Sequence, residues 1–101
     1  MKTAYEVLKG AIENEEPNRY IRNMVVMNIQ GHALRNDDTI RVELAIWTYE
    51  GRGVPANGMW AVTDYISEME DFLTVPCEGY EFDIRNRGDH MCVIFNLKRC
   101  E

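Results

Sequence analysis

Two histidines and three cysteines, His32, His90, Cys77, Cys92 and Cys100, are the side chains of this chain best suited to metal or nucleophile chemistry. His90-Met91-Cys92 sets an imidazole and a thiol two positions apart, which on a strand puts both on one face. With Cys77 and Cys100 the pair could seed a zinc site, since cysteine and histidine are zinc's usual ligands. Alone it could supply a nucleophile and its base. The spacing argues against both. No C-x-x-C knuckle is present, and twelve residues separate Cys77 from His90, which fits no standard ligand pattern. Residues two apart on a strand lie about 6.5–7 Å apart at Cα, a strained distance for a thiol–imidazole hydrogen bond. The expectation is a half-buried thiol beside a strand-end histidine, with no catalytic residue, no metal and no cofactor. His32 is expected at the surface near a strand end.

Gly51-Arg52-Gly53 with Asn57-Gly58 lacks the Gly-Lys-Ser/Thr ending of a phosphate loop and the spacing of a dinucleotide fold. It reads as a connector. Paired carboxylates abound, as in Glu68/Glu70/Asp71 and Glu81/Asp83, but acid–base work needs two of them converging in a cleft. A domain of this size has little volume left for such a cleft once its core is filled.

Charge is more informative when followed along the chain. The 101 residues carry 11 Lys+Arg and 17 Asp+Glu, a net charge of −6. Residues 53–84 contain seven acids and no Lys or Arg, while the rest of the chain has eleven bases against ten acids. The excess is therefore local. Asp64, Glu68, Asp71, Glu78, Glu81 and Asp83 are expected to form one negative edge, a surface that steers a basic protein partner. Direct nucleic-acid binding is disfavoured, because it rests on Lys and Arg neutralising phosphates.

The elements that position these groups follow from periodicity. Thr3-Ala4-Tyr5-Glu6 has the form of a capping box, and Ala4, Leu8, Ala11 and Ile12 recur at helical spacing, so a helix is expected over 3–14. Val25, Met27, Ile29, Gly31 and Ala33 alternate with Met24, Val26, Asn28, Gln30 and His32 as in a strand. Arg35-Asn36-Asp37-Asp38 is turn chemistry, and Thr39 to Tyr49 alternates again, with Ile40, Val42, Leu44 and Ile46 on one side. Val62, Tyr65, Ile66, Met69, Phe72 and Leu73 share a second helical face that Pro76 ends. Two more alternating runs, Tyr80-Phe82-Ile84 and Met91-Val93-Phe95-Leu97, flank Asn86-Arg87-Gly88-Asp89, expected to be a hairpin turn in which Gly88 is able to take positive φ.

The order α-β-β-α-β-β implies a single α+β domain over residues 1–101, a two-layer sandwich. Its mostly antiparallel four-stranded sheet is covered on one face by both helices. Periodicity leaves the strand order open. The uncovered sheet face should then present Met24, Val26, Trp47, Cys92 and Ile94, an apolar set suited to a contact between proteins, in the simplest case a homodimer. No run approaches the roughly 20 apolar residues of a membrane helix. An odd cysteine count without a leading apolar segment suggests reduced thiols and a cytoplasmic location.

These features favour a small acidic, non-enzymatic protein-binding module that engages a basic or nucleic-acid-binding protein through an acidic helix face. In size, acidity and lack of catalytic motifs the chain resembles the small inhibitors deployed by phages and mobile elements, the anti-restriction and anti-CRISPR proteins. The likeness lies in overall character and assigns no residue a role. The alternative is a homo-oligomeric ligand-binding or regulatory protein that uses the Trp47 face. An enzyme using His90 and Cys92 ranks third.

Overall fold

A computed structural model describes residues 1–14, 26–36, 38–48 and 58–100. Helix α1 spans Ala4–Glu13 and α2 spans Gly58–Glu68. The strands are β1 (Val26–Arg35), β2 (Thr39–Thr48), β3 (Cys77–Asn86) and β4 (His90–Arg99). The order α-β-β-α-β-β and the α+β sandwich are as the periodicity implies.

Thr3 caps α1 through its hydroxyl, which accepts from the Glu6 amide at 3.2 Å. The other first-turn donors also find acceptors: Ala4 N–H donates to the Val75 carbonyl at 2.7 Å and Tyr5 N–H to Leu73 at 3.0 Å. Such groups lack partners within a helix and must find them elsewhere. Here they tie α1 to the segment before β3. That segment also receives β4, because Cys100 N–H donates to the Pro76 carbonyl at 2.9 Å.

The sheet is antiparallel throughout, in the order β1-β2-β4-β3, so each hairpin contributes one central and one edge strand. Ile40, Val42, Leu44 and Ile46 from β2 join Met91, Val93, Phe95 and Leu97 from β4 in the core, beneath Leu8 and Ile12 of α1 and Val62 and Ile66 of α2. Helix α1 lies over β3 and β4, and α2 lies over β1. Tyr80, Phe82 and Phe95 cluster with ring centroids 6.0 to 6.4 Å apart, closing the core toward β3. The β3–β4 turn uses Gly88 at φ 82°, where a side chain would be strained.

Helix α2 ends at Glu68, well before Pro76. The chain continues in tighter turns, with Met69 N–H donating to Ile66 and Phe72 N–H to Met69. The last turn holds no basic residue, and Glu68, Glu70 and Asp71 gather at the helix's negative pole, where acids are disfavoured. In this turn Phe72 is 38% exposed, while Leu73 remains buried.

Candidate functional site

The contact between α2 and β1 depends on Gly31. A Cβ there would lie 2.7 Å from Leu44 Cδ2, 2.8 Å from the Glu43 carbonyl and 3.1 Å from Tyr65 Cε1. Only glycine lets Tyr65 settle on the strand, where its hydroxyl donates to the Gly31 carbonyl at 3.0 Å. Farther along β1, the Arg35 guanidinium sits 4.2 Å from the centroid of the Phe72 ring. Helix α2 and the turn after it therefore follow β1 from Gly31 to Arg35.

The rotation of α2 is fixed from both flanks. Val62 and Ile66 are buried, Tyr65 faces β1, and the Ser67 hydroxyl lies 3.3 Å from that of Tyr5 on α1. At about 100° per residue, Glu68 falls on the Tyr65 flank, away from α1, and Asp64 lies one turn before it on the outer surface. Asp64, Glu68, Glu70 and Asp71 are all exposed. No described base lies within ion-pair distance of any of them.

The other acids expected on this edge lie elsewhere. Glu78 occupies the bulge at the start of β3, and Glu81 and Asp83 sit on the sheet face away from the helices, at the opposite edge from β1. These two are paired, Asp83 with Arg85 at 2.9 Å and Glu81 with Lys98 at 3.6 Å. The structure thus brings together Asp64, Glu68 and Asp71 on α2 and its turn, but not Glu78, Glu81 and Asp83. Residues contiguous in the chain are separated because α2 covers β1 while β3 is the far edge.

The uncovered face is organised in rows across the ladder: His32, Glu43, Ile94 and Asp83 in one, and Gln30, Ala45, Cys92 and Arg85 in the next. Ile94 is 4% exposed and Cys92 7%. Both lie on a central strand, Ile94 flanked by Glu43 and Asp83 and Cys92 by Ala45 and Arg85, and these lateral neighbours screen them from water. Arg41 and Glu43 pair at 3.4 Å across this surface. Trp47 is half-buried, its ring stacked on His90 with centroids 4.9 Å apart. Met24 and the side chain of Val26 lie outside the described residues. Cys92 and Ile94 therefore offer almost no apolar area to a partner, and Trp47 offers part of one ring.

His90 Nδ1 donates to the Asp89 carboxylate at 2.7 Å, and this bond holds the exposed Asp89 carboxyl below its ordinary range. No hydrogen bond joins the Cys92 thiol to His90 among the described residues. His32 lies on β1, separated from β4 by β2. Burial, reinforced by the neighbouring Cys100 thiol and opposed by Arg99, pushes the Cys77 thiol up, against the requirement for a thiolate nucleophile or ligand. Among the described residues no three His, Cys, Asp or Glu side chains converge as a metal site would need. A hollow of about 560 Å³ along β3 is lined by Gly79, Tyr80, Glu81 and Phe82, one strand's residues.

What sequence reasoning did not single out is β1. It is an edge strand from Val26 to Arg35 with no Asp, Glu, Lys or Arg before its last residue. Its signal was the run of uncharged residues, which acquires meaning once the strand is known to lie at an edge. None of the described helices is long and apolar enough to cross a membrane. A scan of protein-family models, a search of curated proteins and a search of solved structures each return no match to this chain.

Proposed function

We propose that this chain is a small protein-binding module whose α2 surface, carrying Asp64, Glu68 and Asp71, engages a basic surface on another protein. One observation carries the reading: Asp64, Glu68, Glu70 and Asp71 are exposed together on α2 and its turn and none forms an ion pair with a described base, Arg35 lying instead on the Phe72 ring beside that turn. The other described acids without an ion pair, Glu6, Glu13, Asp38 and Glu78, lie apart on α1, before β2 and in the β3 bulge. Unneutralised acids keep their field for an incoming partner, which raises the association rate and favours a basic one. A nucleic-acid-binding protein fits that description, because it carries the phosphate-facing Lys and Arg that these carboxylates would occupy. An inhibitor of the kind made by phages and mobile elements would act in this way, from a cytoplasmic location and without catalysis of its own.

Affinity capture from the native host, with wild type and with Glu68→Lys/Asp71→Lys, tests the proposal. The expected result is a basic protein, recovered at low salt, diminished at high salt and lost with the charge-reversed variant. Capture indifferent to both salt and reversal would contradict it.

A further inference from the structure

Among the described residues neither outer edge of the sheet pairs with a further strand along its length, although Thr3 bridges Pro76 at the start of β3 and the Gly31 carbonyl of β1 accepts from Tyr65, and the two edges are guarded differently. Strand β3 carries the bulge at Glu78 and the charges of Glu81, Asp83 and Arg85, devices that discourage pairing with another chain. Strand β1 has its own bulge at Met27 and ends on Arg35, but neither a bulge nor a charged residue lies between Gln30 and Leu34. Gln30, His32 and Leu34 are exposed on its uncovered side, Leu34 at 55%, and no described strand pairs with its outer edge. An edge of this kind takes up an extended segment through main-chain hydrogen bonds.

The surroundings of β1 select the segment. On the helix side, Glu68 lies outward of Tyr65 on the flank of α2 away from α1, with Asp64 one turn before it on the outer surface and Glu70 and Asp71 in the turn that meets Arg35. On the other side, Gln30, His32 and Leu34 present no carboxylate. Side chains of an added strand alternate between these two environments. We infer that the outer edge of β1 takes up, as a fifth strand, an extended segment of the partner that carries Lys or Arg at alternate positions beneath α2 and neutral residues between them. This rests on the proposed function and adds what the basic partner must look like. A second copy of the chain is the poorer occupant, because pairing β1 with β1 would bring two acidic α2 flanks together.

A fluorescein-labelled peptide of alternating lysine and threonine, as long as β1, tests the inference by anisotropy against the full chain. Two further peptides carry backbone N-methyl groups, one on the odd and one on the even residues, so that each loses the donors of one edge. Saturable binding is expected, weakened about tenfold by Asp64→Lys/Glu68→Lys. One N-methylated peptide should bind and the other fail, and hydrogen exchange at 30–34 should slow when the unmodified peptide is bound. If charge reversal weakens binding but both N-methylated peptides bind alike and exchange is unchanged, the strand-pairing inference is overturned while the acidic-surface reading stands. Failure of the unmodified peptide to bind at low salt overturns it directly, leaving the acidic-surface reading to the host capture. So does protection of β1 that rises with protein concentration alone, which would identify a second copy as the occupant.

Discussion

Replacing Gly31 with alanine tests whether α2 is seated on β1 as described. The added Cβ would stand 2.8 Å from the Glu43 carbonyl, a backbone atom held in the β1–β2 ladder, as well as 2.7 Å from Leu44 Cδ2 and 3.1 Å from Tyr65. Leu44 can turn aside, but the carbonyl cannot move without disturbing the strand pairing. Overpacking of this kind costs about 1–3 kcal/mol. Stiffening of the unfolded chain by alanine offsets about 0.4–1 kcal/mol of that, leaving a net loss of about 1–2 kcal/mol. With a urea slope of about 1–2 kcal/mol/M for a small domain, the unfolding midpoint should fall by roughly 1 M. Tyr65→Phe removes the donor to the Gly31 carbonyl and should cost about 1 kcal/mol alone, but less in the Gly31→Ala background, where the ring is already displaced. Contacting residues are expected to be non-additive in this way. An unchanged or higher midpoint for Gly31→Ala, or strict additivity of the pair, would refute the packing argument.

Thr3→Ala should lower stability by about 1 kcal/mol through loss of the N-cap, with Thr3→Ser recovering most of it in the same urea titration. Gly88→Ala, at φ 82°, should cost about 1–2 kcal/mol while leaving the circular dichroism spectrum of the folded state unchanged. In thiol alkylation of the native protein, half-buried Cys100 should react first and buried Cys77 and Cys92 more slowly, as peptide mapping would show. The raised Cys77 value also has a consequence for stability. The unfolded thiol loses its proton first, so this contribution is fully present below the ordinary thiol value and is lost as pH rises through the native one. Wild-type stability should therefore fall more steeply at alkaline pH than that of Cys77→Ala.

The architecture was legible in the sequence because burial repeats with period two in β1, β2 and most of β3. Ile40, Val42, Leu44 and Ile46 alternate with half-buried neighbours, and the core follows directly from that pattern. Strand β4 was harder to interpret. Met91 to Phe95 are buried on both faces, so Cys92 and Ile94 read as an exposed apolar pair until strand order places β4 between β2 and β3. Lateral neighbours such as Glu43, Asp83 and Arg85 are set by that order, which periodicity does not encode. The same ignorance of order merged the acids of α2 and β3 into one edge, although they occupy opposite sides of the sheet. The uncharged run in β1 was visible from the start. Its meaning depends on an outer position, and on the missing Cβ of Gly31 that brings Tyr65 and the acidic helix down beside it.

The proposed interaction with a basic partner rests on the exposed carboxylates of α2. Its most direct test is the equilibrium affinity of the captured partner for wild type and Asp64→Lys/Glu68→Lys, measured across ionic strength. At low salt the variant should bind about tenfold or more weakly, and the two curves should converge as salt screens the charges. Equal affinities at low salt would contradict the account.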